Sequence, residues 1–346
     1  MSIKTKAKQF WSDFLKNQAV IEKALDSQDS KEKQIWEDKF SNACMQIANC
    51  TLSLSKEEEF YVLTFEPHKD KTAQIICVYL KKFAPQALVD KWMIFDCVPP
   101  LQENIFHYHF KYDEKDYTID DLSVSIVEKG NAKDMFDVWV MCEAFESMNI
   151  HEAETLASTY VENILGDLLI NCYVDKIEIQ SKKTDGYKYV PLKEAYDEVI
   201  EMMDLHHYAM YSDCTQLYSV YKLDEAESDE VLKDRVLIST IQPLNFVEVM
   251  NQERHSLNAI TRLGGEVGFL IYPIDSFDEK EAQKKRVLEK ELNDLLYTLG
   301  IARIVGSGIA PKRIYLEVFI FDKEEFKKAI VKVVSKLNLP LTYLAY

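Results

Sequence analysis

The hydrophobic pattern predicts helices at the start of the chain. Apolar positions in the opening segment recur at intervals of four, seven and four residues, which places them on one face of a helix. These positions are Phe10, Phe14, Ile21 and Leu25. A second helix is predicted over 32–49, and a long helix over 150–165 is expected to end near Gly166.

Runs rich in β-branched and aromatic residues predict the strands of the first two hundred residues. They are FYVLTFE (60–66), QIICVYL (74–80), MIFDCV (93–98), FHYHFKY (106–112), LSVSIVE (122–128), FDVWVMC (136–142) and the segment 172–179. A short helix is predicted over 85–92. Another follows Pro191, because proline suits the first turn of a helix.

The last eighty residues have the clearest pattern. An apolar strand over 267–271 precedes SFDE (276–279), whose spacing predicts a helix capped by Ser276 and ended by Gly300. IARIVG and RIYLEVFIF predict two strands joined by a turn at GSGIAPK. DKEE (322–325) predicts the cap of a last helix, and LTYLAY predicts a last strand. The order β-α-β-β-α-β is that of the ferredoxin-like split unit.

We therefore predict an α+β protein in which antiparallel sheets are covered by helices. A chain of 346 residues is long for one domain. The predicted division is an N-terminal α+β domain over 1–204, a linking segment over 205–260 and a ferredoxin-like domain over 261–346. The linking segment contains DEAESDEVLKD (224–234), where six acids among eleven residues predict an exposed loop.

The formal net charge of −17 argues against nucleic acid as the main ligand. Residues 1–200 carry a net charge of −12 and residues 201–346 carry −5, so neither half has the broad basic surface that neutralises phosphates. An acidic surface favours solubility or a basic protein partner.

Cysteine usage and the lack of long apolar runs predict a reduced, cytoplasmic protein. None of the seven cysteines is spaced as C-x-x-C, and most lie among apolar neighbours, as buried thiols do. The start of the chain has no apolar signal core, and no run approaches the length of about eighteen apolar residues that a membrane span requires.

Six of the nine glycines fall between 264 and 308. A phosphate-binding loop leads into a helix N-terminus, whereas the segment from Gly264 to Gly268 leads into a strand. Gly306 and Gly308 are expected in a turn between two strands. We interpret these glycines as structural, with a ligand loop at Gly264 and Gly265 as the alternative.

Other candidate chemistry is sparse. His107 and His109 would share one face of a strand, where Asp113 or Asp116 would complete a metal site; a polar strand face in water is the alternative. No spacing predicts a nucleophile elbow, a phosphate loop or a catalytic triad. We therefore predict no catalytic residue, no metal and no cofactor.

The strand RIYLEVFIF predicts a candidate binding face. Its aliphatic residues should meet the two helices, and the residues between them should form an aromatic face on the open side of the sheet. The aromatic face consists of Tyr315, Glu317, Phe319 and Phe321. Because such a face is not normally left to water, it should pack on the N-terminal half or on a second copy of the chain, which would make a homodimer. A peptide, a small molecule or RNA are the alternative occupants.

Several short motifs resemble a bacterial family that is known as a domain of unknown function. They are FWSDFL, FAPQALVDKWMIFDCVPP, ENILGDLL, DKIEIQ and YVPLKEAYDEV, and the family-motif positions are Phe10, Trp11, Pro85, Trp92, Gly166 and Asp167. Asp167 stands where glutamate is more usual. The segment from IVGSGIAP to IYLEVFIFD is similar in outline to the regulator of ribonuclease activity B. The resemblance implies a bacterial cytoplasmic protein without an agreed activity.

The leading functional hypothesis is a non-catalytic protein-binding or regulatory module, in the manner of an inhibitor or immunity protein that covers a basic surface. The second hypothesis is an enzyme that acts on a small or nucleotide-like substrate in a cleft between domains. Its first suspects for acid–base chemistry are Glu66, Asp96, Asp167 and Glu266. The third hypothesis is regulation of RNA metabolism through the C-terminal domain.

Overall fold

The computed structural model of the chain describes residues 1–27, 30–129, 134–223, 230–337 and 340–346. The helices in this part are α1 Ile3–Asp26, α2 Ser30–Ala48, α3 Lys71–Lys82, α4 Glu103–Phe106, α5 Ile150–Cys172, α6 Ala195–Leu205, α7 Pro243–Asn251, α8 His255–Leu263, α9 Glu279–Leu296 and α10 Lys323–Leu337. The strands are β1 Thr51–Glu57, β2 Phe60–Glu66, β3 Trp92–Phe95, β4 Phe110–Tyr112, β5 Lys115–Tyr117, β6 Ser123–Glu128, β7 Phe136–Met141, β8 Val174–Gln180, β9 Val190–Pro191, β10 Ser219–Lys222, β11 Leu237–Thr240, β12 Glu266–Pro273, β13 Ala302–Ala310, β14 Arg313–Ile320 and β15 Thr342–Ala345. The predicted α+β class is confirmed.

The chain forms two compact units that do not follow the predicted boundaries. The first unit joins 1–63 and 70–94 to 217–346, and the second consists of 64–69 and 95–216. The first unit is discontinuous because the N-terminal helices pack on the C-terminal part of the chain. Tyr79 of α3 stacks on Phe321 with ring centres 4.1 Å apart.

The predicted linking segment is divided between the units, with residues 205–216 in the second and residues 217–260 in the first. Its part in the first unit supplies β10, β11, α7 and the start of α8, which are regular elements packed in a compact unit. Most of the predicted acidic loop, residues 224–229, lies outside the described residues. At its end, Leu232 and Asp234 are buried.

A six-stranded sheet organises the first unit, in the order β10-β11-β13-β14-β12-β15. All its pairings are antiparallel. From β12 to β15 the elements follow the predicted order β-α-β-β-α-β, while β11 and β10 extend the sheet beyond β13. The aliphatic side of β14 packs as predicted against α9 and α10 in a core that includes Leu288, Leu292, Leu296, Ile314, Leu316, Val318, Ile320 and Phe326. The relationship to ferredoxin-like proteins stays a prediction.

A four-stranded sheet organises the second unit, in the order β8-β7-β6-β9. Strands β7 and β8 run parallel, and the other pairings are antiparallel. The helices α5 and α6 supply buried residues such as Tyr160, Val161, Ile164, Val199 and Met203. The hairpin of β4 and β5 completes this unit.

Four local predictions are wrong for identifiable reasons. QIICVYL is not a strand and lies in α3. The strand prediction is wrong because a short apolar run does not distinguish a buried helix from a strand. GSGIAPK is mostly strand, because β13 continues to Ala310. Helix α9 is capped by Asp278, whose side chain accepts the Glu281 amide at 2.9 Å, and not by Ser276. FHYHFKY begins at the last residue of α4, Phe106, and only its last three residues form a strand, β4.

Candidate functional site

The aromatic face of β14 is buried and is not a binding surface. Tyr315, Phe319 and Phe321 are fully buried, and Glu317 is 4% exposed. Tyr315 packs in a core with Leu232 and other apolar residues. The expectation that this face packs on the N-terminal part of the chain agrees with the Tyr79–Phe321 stack. The prediction of a site for a peptide, a small molecule or RNA on these four side chains is wrong, since no solvent-borne ligand reaches them.

Glu317 instead belongs to a buried charged cluster that the sequence analysis missed. Its Oε2 accepts a hydrogen bond from Thr240 Oγ1 at 2.8 Å, while its Oε1 has no partner among the described residues. The guanidinium of Arg235 is also buried and donates from Nε to the Leu232 carbonyl at 2.6 Å. Burial raises the pKa of Glu317, and the Thr240 hydrogen bond, then the charge of Arg235 and then Asn245 oppose that rise. Burial lowers the pKa of Arg235, and the negative charge of Glu317 is the largest effect in the opposite direction.

Two glycines of β13 make room for this cluster. A Cβ on Gly306 would lie 2.6 Å from the Glu317 carboxylate, and a Cβ on Gly308 would lie 2.6 Å from Cδ of Arg235. Glycine inside a strand indicates close approach of another group. The spacing Gly-x-Gly within a strand was therefore the sequence signal for the cluster.

The N-terminal motif positions are structural. Phe10, Trp11 and Trp92 are buried in the first unit. The indole N–H of Trp11 donates to the Leu80 carbonyl at 3.1 Å, and that of Trp92 donates to Glu22 at 3.0 Å. The carbonyl of Pro85 accepts the amide of Leu88 in a short 3₁₀ turn.

Gly166 breaks α5 in its middle, and the helix then continues to Cys172. Its φ of 74° and ψ of 161° are not helical and are essentially restricted to glycine. The segment after Asp96 crosses this break. The Asp167 amide donates to the Val98 carbonyl at 2.9 Å, and the Val98 amide donates to Asp167 Oδ2 at 3.1 Å. The Gly-acid motif therefore ties a loop to a broken helix.

Three of the four suspected carboxylates lie in the second unit, and the fourth does not. Burial raises the pKa of Asp167 to about 6, with smaller contributions from Glu162 and Glu66. The pKa of the Cys97 thiol is raised first by its hydrogen bond with Cys214 and then by burial. The charges of Asp96 and Asp167 raise it further. A thiol with a raised pKa is a poor nucleophile. Glu266 lies in the first unit, where it accepts a hydrogen bond from Tyr343 and pairs with Lys323.

Replacing Asp167 with asparagine is expected to change how stability depends on pH. The amide keeps an acceptor for the Val98 N–H but does not ionise. The folded-state pKa of Asp167 is raised, so its carboxyl costs nothing below about pH 4 and destabilises the fold as the pH rises through about 6. Urea unfolding should show the wild type losing about 2–3 kcal/mol relative to the variant between about pH 4 and 7.5. Parallel pH profiles would contradict this account.

The other candidate sites hold no metal arrangement. His107 follows the end of α4, and His109 Nδ1 lies 3.9 Å from Asp116 on the surface. Within the described ranges, no group of three or more histidine, cysteine, aspartate or glutamate residues could hold a metal ion. Gly264 has a φ of 93° and ends α8, and a Cβ there would lie 2.2 Å from the Met1 carbonyl oxygen. Its role is therefore structural.

The net charge is segregated between the two units. The second unit contains 26 acidic and 10 basic residues, a net charge of −16, whereas the first unit contains 32 and 31, a net charge of −1. The two halves of the sequence, both acidic, did not reveal this difference because the first unit takes residues from both ends of the chain.

An acidic face lies along α6 in the second unit. It is formed by Glu194, Asp197, Glu201 and Asp204, which are exposed and follow one another at intervals of three, four and three residues. The opposite side of the helix is buried through Ala195, Val199 and Met203. Within the described part of the chain, none of the four carboxylates has an ion-pair partner. Leu205, at the end of this face, is 74% exposed.

In the described residues no helix is both long and apolar enough to cross a membrane. The resemblance to the bacterial family and to the ribonuclease regulator stays a prediction. Comparisons with protein-family models, with curated proteins and with solved structures find no match for this chain.

Proposed function

We propose that the chain is a non-catalytic, cytoplasmic binding protein whose second unit recognises a basic surface of a protein partner. The observation that carries this proposal is the net charge of −16 on that unit. A field of one sign steers an oppositely charged partner and favours it over other proteins. An inhibitor-like protein that covers a basic surface fits this distribution.

The acidic face of α6 is the proposed contact surface. Its four carboxylates are exposed without ion-pair partners in the described chain, so binding would not first have to break internal ion pairs. The exposed Leu205 adds apolar area to the same face. Exposed charges at the rim of an interface act mainly on association and on partner choice.

An acid–base enzyme is the second candidate, and the neighbourhood of Asp167 favours it. A carboxyl with a pKa of about 6 suits general acid–base catalysis near neutral pH. The hydrogen bonds that join Asp167 to Val98 give the same residue a structural role, however. Regulation of RNA metabolism is the weaker alternative, because an acidic unit repels phosphates.

Affinity capture from a lysate of the source cells tests the proposal. We expect the tagged chain to retain a basic protein in about 0.1 M salt, to keep it after nuclease treatment, and to release it at about 1 M salt, where the Debye length falls from about 10 to 3 Å. Retention that depends on RNA would favour the weaker alternative. No retained protein at any salt concentration would count against a binding protein.

Neutralising part of the acidic face should weaken the complex. We expect Asp197→Asn with Glu201→Gln to raise the dissociation constant of the captured protein roughly fivefold, because each exposed ion pair contributes about 0.2–1 kcal/mol. The matched control is Glu279→Gln with Glu291→Gln, which removes two exposed charges from α9 of the first unit. Equal effects of the two double variants would show that net charge, and not the acidic face, sets the affinity.

A further inference from the structure

A cavity of about 270 Å³ lies in the second unit beside the start of the acidic face. Its apolar walls include Met141, Val190 and Pro191. Pro191 is three residues before Glu194, the first carboxylate of the acidic face. The wall of the cavity therefore directly precedes, along the chain, the surface that we propose as the contact region.

Two carboxylates and a hydroxyl line the same cavity. Asp120 and Asp121 belong to the 3₁₀ turn Ile119–Asp121. Asp120 pairs with Lys193 on the surface, and Asp121 accepts the Thr118 amide through Oδ2 at 2.8 Å. The third group, Ser123, has a buried Oγ with no hydrogen-bond partner in the described chain. Rotation of the Ser123 hydroxyl would therefore break no hydrogen bond.

Buried hydroxyl groups are normally hydrogen-bonded, and an exception calls for a missing partner. Rotation about χ1 would turn Ser123 Oγ toward the cavity, where it can accept a hydrogen bond from a donor that enters. The two carboxylates favour a donor that carries a positive charge, and the apolar walls suit an aliphatic stem. A lysine or arginine side chain combines these features.

We infer that the cavity binds the cationic side chain of one arginine or lysine of the partner protein. The stem lies against Met141 and Pro191, and the charged head lies near Asp120 and Asp121. This inference rests on the proposed function, since it takes the partner to be basic. A side chain held in the cavity would fix the partner at one position, which the exposed carboxylates of the acidic face alone do not do.

Lys183 also lines the cavity, and its own positive charge competes with that of an entering cation. Its ammonium lies 5.7 Å from the centre of the Tyr189 ring, and it has no ion-pair partner among the described residues. An entering cation would meet this like charge. Removing the Lys183 charge should therefore strengthen binding, which a purely structural role of the cavity would not produce.

The test uses the full chain and small probes, so that it does not depend on the partner. Nα-acetyl-arginine amide and Nα-acetyl-lysine amide supply the two cationic heads, and Nα-acetyl-citrulline amide is a neutral mimic of the first. Binding is followed through the backbone NMR signals of Ser123 and Val190. We expect at least one cationic probe to bind in the millimolar range and the citrulline probe to bind about tenfold more weakly.

Two lysine variants provide the matched comparison. Lys183→Met should tighten binding of the cationic probe about two- to fivefold. Lys182→Met removes the same charge one residue away, from a lysine that pairs with Glu146 outside the cavity, and should have a smaller effect. Asp121→Asn keeps an acceptor for the Thr118 amide and should weaken binding.

Three results would overturn the inference. They are equal binding of the arginine and citrulline probes, equal effects of the two lysine variants, and no response at Ser123 and Val190 up to about 20 mM probe. Failure of the probes together with successful capture of a basic protein would refute the cavity and leave the proposed function standing. Failure of the capture together with binding of the probes would refute the proposed function and would show that the cavity binds cations without a basic protein partner.

Discussion

Replacing Gly166 with alanine is expected to destabilise the second unit by about 3–5 kcal/mol. The backbone at Gly166, with a φ of 74° and a ψ of 161°, is strained for any residue with a Cβ, at a cost of about 1–3 kcal/mol. The new methyl group would also lie 2.6 Å from the nitrogen of Pro100. That neighbour is backbone and cannot rotate away, so overpacking adds about 1–3 kcal/mol.

Gly186 supplies the matched control for this prediction. It has a φ of 88°, but nothing lies within 4 Å of a Cβ at this position. Gly186→Ala should therefore cost only the backbone strain, about 1–3 kcal/mol. Urea unfolding followed by circular dichroism measures both variants. Equal losses would show that the contact between Gly166 and the segment after Asp96 is not tight.

Replacing Arg235 with methionine should have the second large effect, about 2–3 kcal/mol, because the Leu232 carbonyl loses a charged hydrogen-bond donor and the buried carboxylate of Glu317 loses an opposing charge. The change leaves the carboxylate of Glu317 buried without its main opposing charge. The double variant Arg235→Met with Glu317→Gln should recover most of the loss, because glutamine is neutral and keeps an acceptor for Thr240. A double variant as unstable as the single one would show that the packing of Arg235 matters, and not its charge.

The pH dependence of the Arg235→Met variant is a second measurement on the same cluster. Removing the guanidinium raises the pKa of Glu317 further. A group whose folded-state pKa is raised stabilises the fold at low pH and loses that contribution as the pH rises. The variant should therefore lose least stability below about pH 5 and most near neutral pH. A loss that does not change with pH would contradict the charge-based explanation.

The elements that the sequence predicts well are amphipathic. The apolar stripe of α1 repeats with the period of a helix, and the aliphatic residues of β14 alternate with the period of a strand, although both sides of β14 are buried. In α3 the six residues from Ile75 to Leu80 are all apolar or aromatic, so this run by itself does not distinguish a helix from a strand. The other side of β14 was expected to pack on the N-terminal half or on a second copy of the chain, but periodicity cannot show that α3 and the segment around Leu232 cover it.

The candidate site depends on tertiary structure even more strongly. The charge difference between the units exists only once the N-terminal helices are grouped with the C-terminal sheet. The acidic face of α6 was present in the sequence as a spacing of carboxylates, but many solvated helices share that pattern. The cavity beside it is formed by residues between Asp120 and Pro191 that are distant in sequence, and no local pattern brings them together.

Hydrogen–deuterium exchange of the chain with and without the captured protein tests the central claim most directly. We expect slower exchange in Glu194 and α6 and around Asp120–Ser123 when the partner is bound, with the first unit unchanged. Protection confined to the first unit, or no protection with the partner in stoichiometric excess, would contradict the claim that the acidic unit is the recognition module.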